Sequence, residues 1–124
     1  NKYVETNDFL VYINNEKPHL NYLDYKNNIL LLNNFLIVWS SIDNIITPLE
    51  SSKFGFYDID VAEKYNKLEI QPLRNSSIYN TLGLRELDAT NKLIFYQCDC
   101  MHEEFKLPSC FKDKLLIKKI VPYL

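Results

Sequence analysis

The chain has 124 residues, 47% of them hydrophobic and 14% aromatic, which is enough to bury one core and hardly two. Its net charge of -2 and pI near 5.7 argue against a protein that holds nucleic acid mainly by counterion release. No apolar run approaches the roughly 18–20 residues that span a bilayer, and Asn1-Lys2-Tyr3-Val4-Glu5 lacks the basic and apolar regions of a signal peptide, so a cytoplasmic protein without a membrane partner is expected.

In chain order, Phe9 to Ile13 is a short run of β-formers ended by Asn14-Asn15, and His19 to Leu23 alternates polar and apolar. Together they predict a hairpin. From Asn28 to Ile42 the spacing changes, with Ile29, Leu32, Leu36 and Trp39 on one side and Leu31, Phe35, Val38 and Ile42 beside them, which predicts the main helix. Thr47-Pro48 lies beyond its end. Residues 54–61 and 67–70 then supply two strands around a turn at Glu63 to Asn66, and Pro72 stops the second.

Residues 80–96 predict a short helical turn capped by Thr81, with Leu82, Leu84 and Leu87 on its apolar side. A loop from Asp88 to Asn91 and a strand from Leu93 to Tyr96 follow. Only two glycines occur, so several of the clustered asparagines are expected to take turn positions with positive φ; their number is read first as AT-rich codon usage and carries no function. The order strand, strand, helix, strand, strand, turn, strand is that of an α+β, ubiquitin-like β-grasp: a mixed sheet with one main helix. It assigns residues 1–97 to that domain and 98–124 to a C-terminal extension.

The extension has two chemical characters. Cys98, Cys100, His102 and Cys110 have the ligand inventory of a zinc site but poor spacing, so three reduced cysteines are the preferred reading and a disulfide the least expected. Lys112, Lys114, Lys118 and Lys119, opposed only by Asp113, interleave with Phe111, Leu115, Leu116, Ile117, Ile120 and Val121 as a basic amphipathic segment, helical to about Ile120. The lysines can meet phosphates or form a solvated face over residues 28–42; Arg74 and Arg85 are further phosphate candidates, or ion-pair partners of Glu69 and Asp88.

No glycine-rich phosphate loop and no serine or cysteine in a nucleophile motif are found, and His102 stands among Asp99, Glu103 and Glu104 in an acidic segment. A thiol site of Cys98, Asp99 and His102 rests on sequence adjacency alone. The expectation is therefore a protein that is not an enzyme and needs no cofactor.

The 80–96 segment, Phe35-Leu36-Ile37-Val38, Phe56-Tyr57-Asp58 and Lys67-Leu68-Glu69-Ile70 resemble, in order and spacing over residues 8–107, a small uncharacterised eukaryotic family with a ubiquitin-like fold that includes microsporidian dormancy factors. The resemblance implies a monomeric ribosome hibernation factor. Such a protein fills the tRNA exit (E) site between the small-subunit head and platform and holds the large-subunit stalk inward, so that E-site tRNA and translocation are blocked. Its partners would be ribosomal proteins and rRNA, not DNA; the resemblance carries over no contact residues, and the charge pattern offers Lys112, Lys114, Lys118, Lys119, Arg74 and Arg85 as the contacts. A non-covalent ubiquitin-like adaptor for another protein is the alternative, and a zinc-bearing structural module a third reading.

Overall fold

The computed structural model describes residues 2–123 and mixes short helices with two small sheets, so the broad α+β expectation holds. A β-grasp is not present among the described residues: each sheet has two strands, Phe35–Ser40 with Leu93–Cys98 and Phe56–Tyr57 with Ile70–Gln71. The chain forms two units, Asn1–Phe35 with Arg74–Leu93, and Leu36–Leu73 with Ile94–Leu124.

In the first unit the hairpin expected over 9–23 gives way to helix. The Asn7 carboxamide oxygen accepts the N–H groups of Phe9 and Leu10 at 3.0 and 2.7 Å, which starts the Leu10–Ile13 turn. A five-residue apolar run fits a helical turn as well as a strand, and here the local cap decides. The next helix is Tyr22–Leu30, so the main helix begins before the position expected and ends inside the range predicted for it.

Asn15, buried and at φ 54, joins these pieces. Its Nδ2 donates to the carbonyls of Tyr22 and Thr81 at 3.0 and 3.1 Å. That leaves Oδ1 as an acceptor, so the His19 Nε2 at 2.8 Å carries the proton. Thr81 ends the Ser77–Thr81 helix and donates its hydroxyl to the Asn14 carbonyl instead of capping a following turn. Gly83 takes that place at φ 82, and the expected order of helix Leu84–Ala89, tight turn with Asn91 at φ 58, and strand from Leu93 is observed.

The second unit contains the largest departure. Phe35-Leu36-Ile37-Val38-Trp39 is strand, not helix: a continuous run rich in β-branched and aromatic residues, cut from the preceding helix by Asn33-Asn34, has no period that excludes a buried strand. The Phe35 N–H donates to the Lys92 carbonyl at 2.7 Å at the strand starts, and Gln97 Nε2 donates to the Ser41 hydroxyl at 2.9 Å at their ends. The two strands therefore run in the same direction, and whatever follows one lies near whatever follows the other.

The strand expected over 54–61 shrinks to Phe56–Tyr57, paired antiparallel as Phe56 with Gln71 and Tyr57 with Ile70. Asp58 then caps a helix, Ile59–Tyr65, by accepting the Val61 N–H at 3.0 Å, and Asn66 closes it at φ 50 where a turn was expected from residue 63. The C-terminal segment is helical over Pro108–Cys110 and Phe111–Ile120, the latter wound in the π manner, which meets the expected limit at Ile120. Cys98, Cys100, Cys110 and Leu115 form a buried cluster with Val38, Tyr96, Phe105 and Ile120 packed against it.

Candidate functional site

Two strands that run side by side bring together the loops at their carboxyl ends. Asp43 follows the first strand and His102 the second, and the His102 Nδ1 lies 3.0 Å from the Asp43 Oδ2. The other carboxylate oxygen, Oδ1, accepts the N–H groups of Ile45 and Ile46 at 2.9 and 3.0 Å, an arrangement that an aspartate at the start of a turn makes with its own downstream backbone. The Asp43 side chain is only 6% exposed, whereas that of His102 is 41% exposed.

Burial raises the Asp43 carboxyl, but the donors from Ile46, Ile45 and His102 together outweigh it and hold its pKa below the usual carboxylate value. An ionised carboxylate can only accept, so the His102 Nδ1 must carry the proton in this pair. In the neutral ring Nε2 then presents a lone pair. That is the state of a general base whose tautomer and orientation are fixed by an acid behind it.

Among the described residues no hydroxyl or thiol is hydrogen-bonded to Nε2. The Ser40 hydroxyl is buried and accepts the Ile42 N–H at 3.2 Å, and the Ser41 hydroxyl accepts from Gln97. Burial pushes the Cys98 thiol up, the opposite of what a nucleophile needs.

The residues singled out in the sequence have other places. Cys100 and Cys110 form a disulfide and Cys98 is free and buried. Two of the three thiols proposed for zinc are thus consumed by each other, and the expectation of three reduced cysteines is corrected. Arg74 forks onto Asp88, Nε to Oδ2 at 2.7 Å and Nη2 to Oδ1 at 3.1 Å, while Arg85 lines an open hollow of about 410 Å³ with Lys26, Asn80, Glu86 and Ala89. Lys114 donates to the Asp99 carbonyl and carboxylate, Lys119 lies 4.7 Å over the Tyr96 ring, and Lys112 and Lys118 are exposed.

Asp43 was missed altogether. The signal for it was an acid just past an apolar run, with a histidine just past a second such run, and it becomes visible only when both runs are assigned as strands.

An imidazole backed by a buried carboxylate, both set on loops at the carboxyl ends of strands, is the pairing that activation of a nucleophile by a general base requires. The chain belongs to the palmitoyl protein thioesterase family, whose sequence profile matches residues 1–102. It is 38% identical to palmitoyl-protein thioesterase 3 of Dictyostelium discoideum over 99% of this chain and 41% of that protein. It is 32% identical to lysosomal thioesterase PPT2-B of Xenopus laevis over 77% of this chain and 31% of that protein. With palmitoyl-protein thioesterase 1 of Caenorhabditis elegans the figures are 32% identity, 95% and 37%. The chain thus spans about two fifths or less of the length of these relatives.

This membership overturns the resemblance to a ubiquitin-like dormancy-factor family, and with it the readings as a ribosome hibernation factor that inhibits translation or as a ubiquitin-like adaptor. The expectation of a protein without chemistry falls too, since the relatives are thioesterases by name. The apolar runs that carried the resemblance are short and common to many mixed folds, so their order did not discriminate. Among the described residues no helix is long and apolar enough to cross a membrane.

Proposed function

We propose that this chain supplies the acid and base of a thioesterase that removes long acyl groups from cysteine side chains, on an α/β-hydrolase scaffold. The observation that supports this is the 3.0 Å contact between His102 Nδ1 and a buried, twice-anchored Asp43 carboxylate in a member of this family. The nucleophile is a hydroxyl or thiol outside these 124 residues, for which the relatives, two to three times longer than the matched stretch, leave room.

In the reaction, His102 Nε2 takes the nucleophile's proton as that atom attacks the thioester carbonyl. It then passes the proton to the departing thiolate when the C–S bond breaks. A water molecule, deprotonated by the same nitrogen, then attacks the acyl-enzyme; the bond to the nucleophile breaks, His102 returns the proton to that atom, and the fatty acid is released. Asp43 stays ionised throughout and stabilises the imidazolium that forms between the two transfers.

The setting we infer is a lysosome-like compartment instead of the cytoplasm. Two features support it: several relatives are named lysosomal thioesterases, and a disulfide persists in oxidising surroundings.

The test uses the intact protein that carries this chain, with release of free thiol from palmitoyl-coenzyme A and from an S-palmitoylated peptide as the readout. His102→Ala is expected to lower kcat by about 10³-fold or more with Tm little changed. Full activity in a folded His102→Ala protein would remove the reading.

A further inference from the structure

The Cys100–Cys110 disulfide encloses the segment that carries His102. Cys100 is fully buried and Cys110 is 2% exposed, so both ends of that ten-residue interval are fixed in the cluster with Leu115 and Phe105. A second link closes the same interval from outside: Lys114 Nζ donates to the Asp99 carbonyl at 3.1 Å and lies 3.3 Å from its Oδ1. A third lies within it, where the Glu104 carboxylate accepts the Met101 N–H at 2.7 Å, fixing the start of the His102–Lys106 turn. By contrast, among the described residues the ring of His102 is held from the far side by Asp43 alone.

We propose that Cys100, Cys110 and Lys114 are positioning residues for His102, and that the disulfide and the lysine clamp together hold the imidazole where Asp43 can orient it. A turn of this length, with an imidazole 41% exposed, has many arrangements in which Nδ1 does not meet the carboxylate. Tying its start to Cys110 and, through Asp99, to Lys114 of the 111–120 helix removes most of them before substrate arrives. The lysine that the charge pattern offered to phosphate thus acts on the backbone of its own chain. This inference rests on the thioesterase reading for its kinetic consequence but not for its structural one, and the experiment separates the two.

In the intact protein, Cys100→Ala/Cys110→Ala is expected to lower kcat for palmitoyl-coenzyme A about tenfold or more while KM changes less than about twofold, because base placement and not acyl binding is disturbed. The hydrogen-bonded Nδ1 proton of His102, followed by ¹⁵N-edited NMR, should be sharp in the parent protein and broadened or lost in the double variant. Lys114→Met should give a smaller loss of both kcat and signal, and Lys114→Arg should restore them. A folded double variant that keeps kcat and the Nδ1 signal overturns the proposal. If the double variant does not fold, the lysine pair decides, and equal kcat and equal signal in Lys114→Met and Lys114→Arg overturn it. Should His102→Ala retain full activity, the thioesterase reading fails by itself. The NMR signal still decides positioning, since its persistence without the disulfide and clamp would overturn that as well.

Discussion

Asp43 and His102 are 59 positions apart in the chain and 3.0 Å apart in space, and nothing between them in sequence makes that meeting necessary except the shared direction of two strands. The first strand ends at Ser40 and the second at Cys98, so each residue has a loop of only a few positions in which to reach the other. Asp43 uses its loop to bind the Ile45 and Ile46 N–H groups. His102 sits in a turn closed by covalent and ionic links. The carboxylate is therefore the fixed partner, and the imidazole is the one held in place.

Asp43→Asn is expected to lower thioester turnover by about 10³–10⁴-fold with a small change in Tm, since the amide can donate to Nδ1 and so favour the wrong tautomer. The pH dependence has a definite sign. The folded pKa of Asp43 is depressed, so its carboxylate is ionised above the ordinary carboxylate value and is protonated only as pH falls through the lowered one. The Asp43 carboxyl ¹³C shift, followed by NMR from pH 7 downward, checks this: no titration step is expected above about pH 4, and a step there would contradict the assignment.

What the sequence made legible was local. The helix, turn and strand of residues 84–98 could be read because Asn91 and the Leu84, Leu87, Leu93 pattern agree with each other at every level. The 35–40 strand could not, because Phe35 to Trp39 is apolar at every position and fits either period, and Asn33-Asn34 before it fit the polar side of a continuous helix as well as a break. With that strand taken as helix, Asp43 became part of a loop with no partner and His102 a stray residue in an acidic tail. The dyad is a product of strand direction, which local propensity does not encode. The disulfide was set aside for a related reason: the expected compartment excluded it, and that compartment was inferred from the first few residues and the lack of a long apolar run, whereas several relatives are named lysosomal thioesterases.

Asp88 accepts from both Arg74, at 2.7 and 3.1 Å, and Tyr79, at 2.7 Å, which together hold its pKa low. Arg74 is 62% exposed, so solvent screening leaves the pair worth little, and Asp88→Asn should destabilise the protein by about 0.5–1 kcal/mol at neutral pH. Because the folded pKa is depressed, this contribution is present above the ordinary carboxylate pKa and disappears as pH falls through the folded value. Urea midpoints of parent and variant, measured from pH 7 downward, should converge only in strong acid. A gap that widened on acidification would contradict the assignment.

The thiols can be counted chemically. Native protein should react with a thiol reagent slowly or not at all, since the free cysteine, Cys98, is buried and its thiol is pushed up. Unfolding without reductant should expose one thiol from this chain and unfolding with reductant three, as only Cys100 and Cys110 are joined. Three reactive groups before reduction would show that the disulfide is absent, and the positioning argument for His102 would lose its main support.

Asn15 separates backbone strain from hydrogen bonding at a single position. It is 2% exposed, sits at φ 54, and serves the carbonyls of Tyr22 and Thr81 and the ring of His19. Asn15→Gly keeps the backbone conformation accessible but leaves those three groups without their partner, for a loss of about 2–3 kcal/mol. Asn15→Ala removes the same bonds and also places a Cβ without a compensating side-chain bond in the left-handed region, which adds roughly 1 kcal/mol. Chemical denaturation should therefore rank parent, glycine and alanine in that order. An alanine variant as stable as the glycine one would mean that the turn relaxes, and that the bonds alone fix this residue.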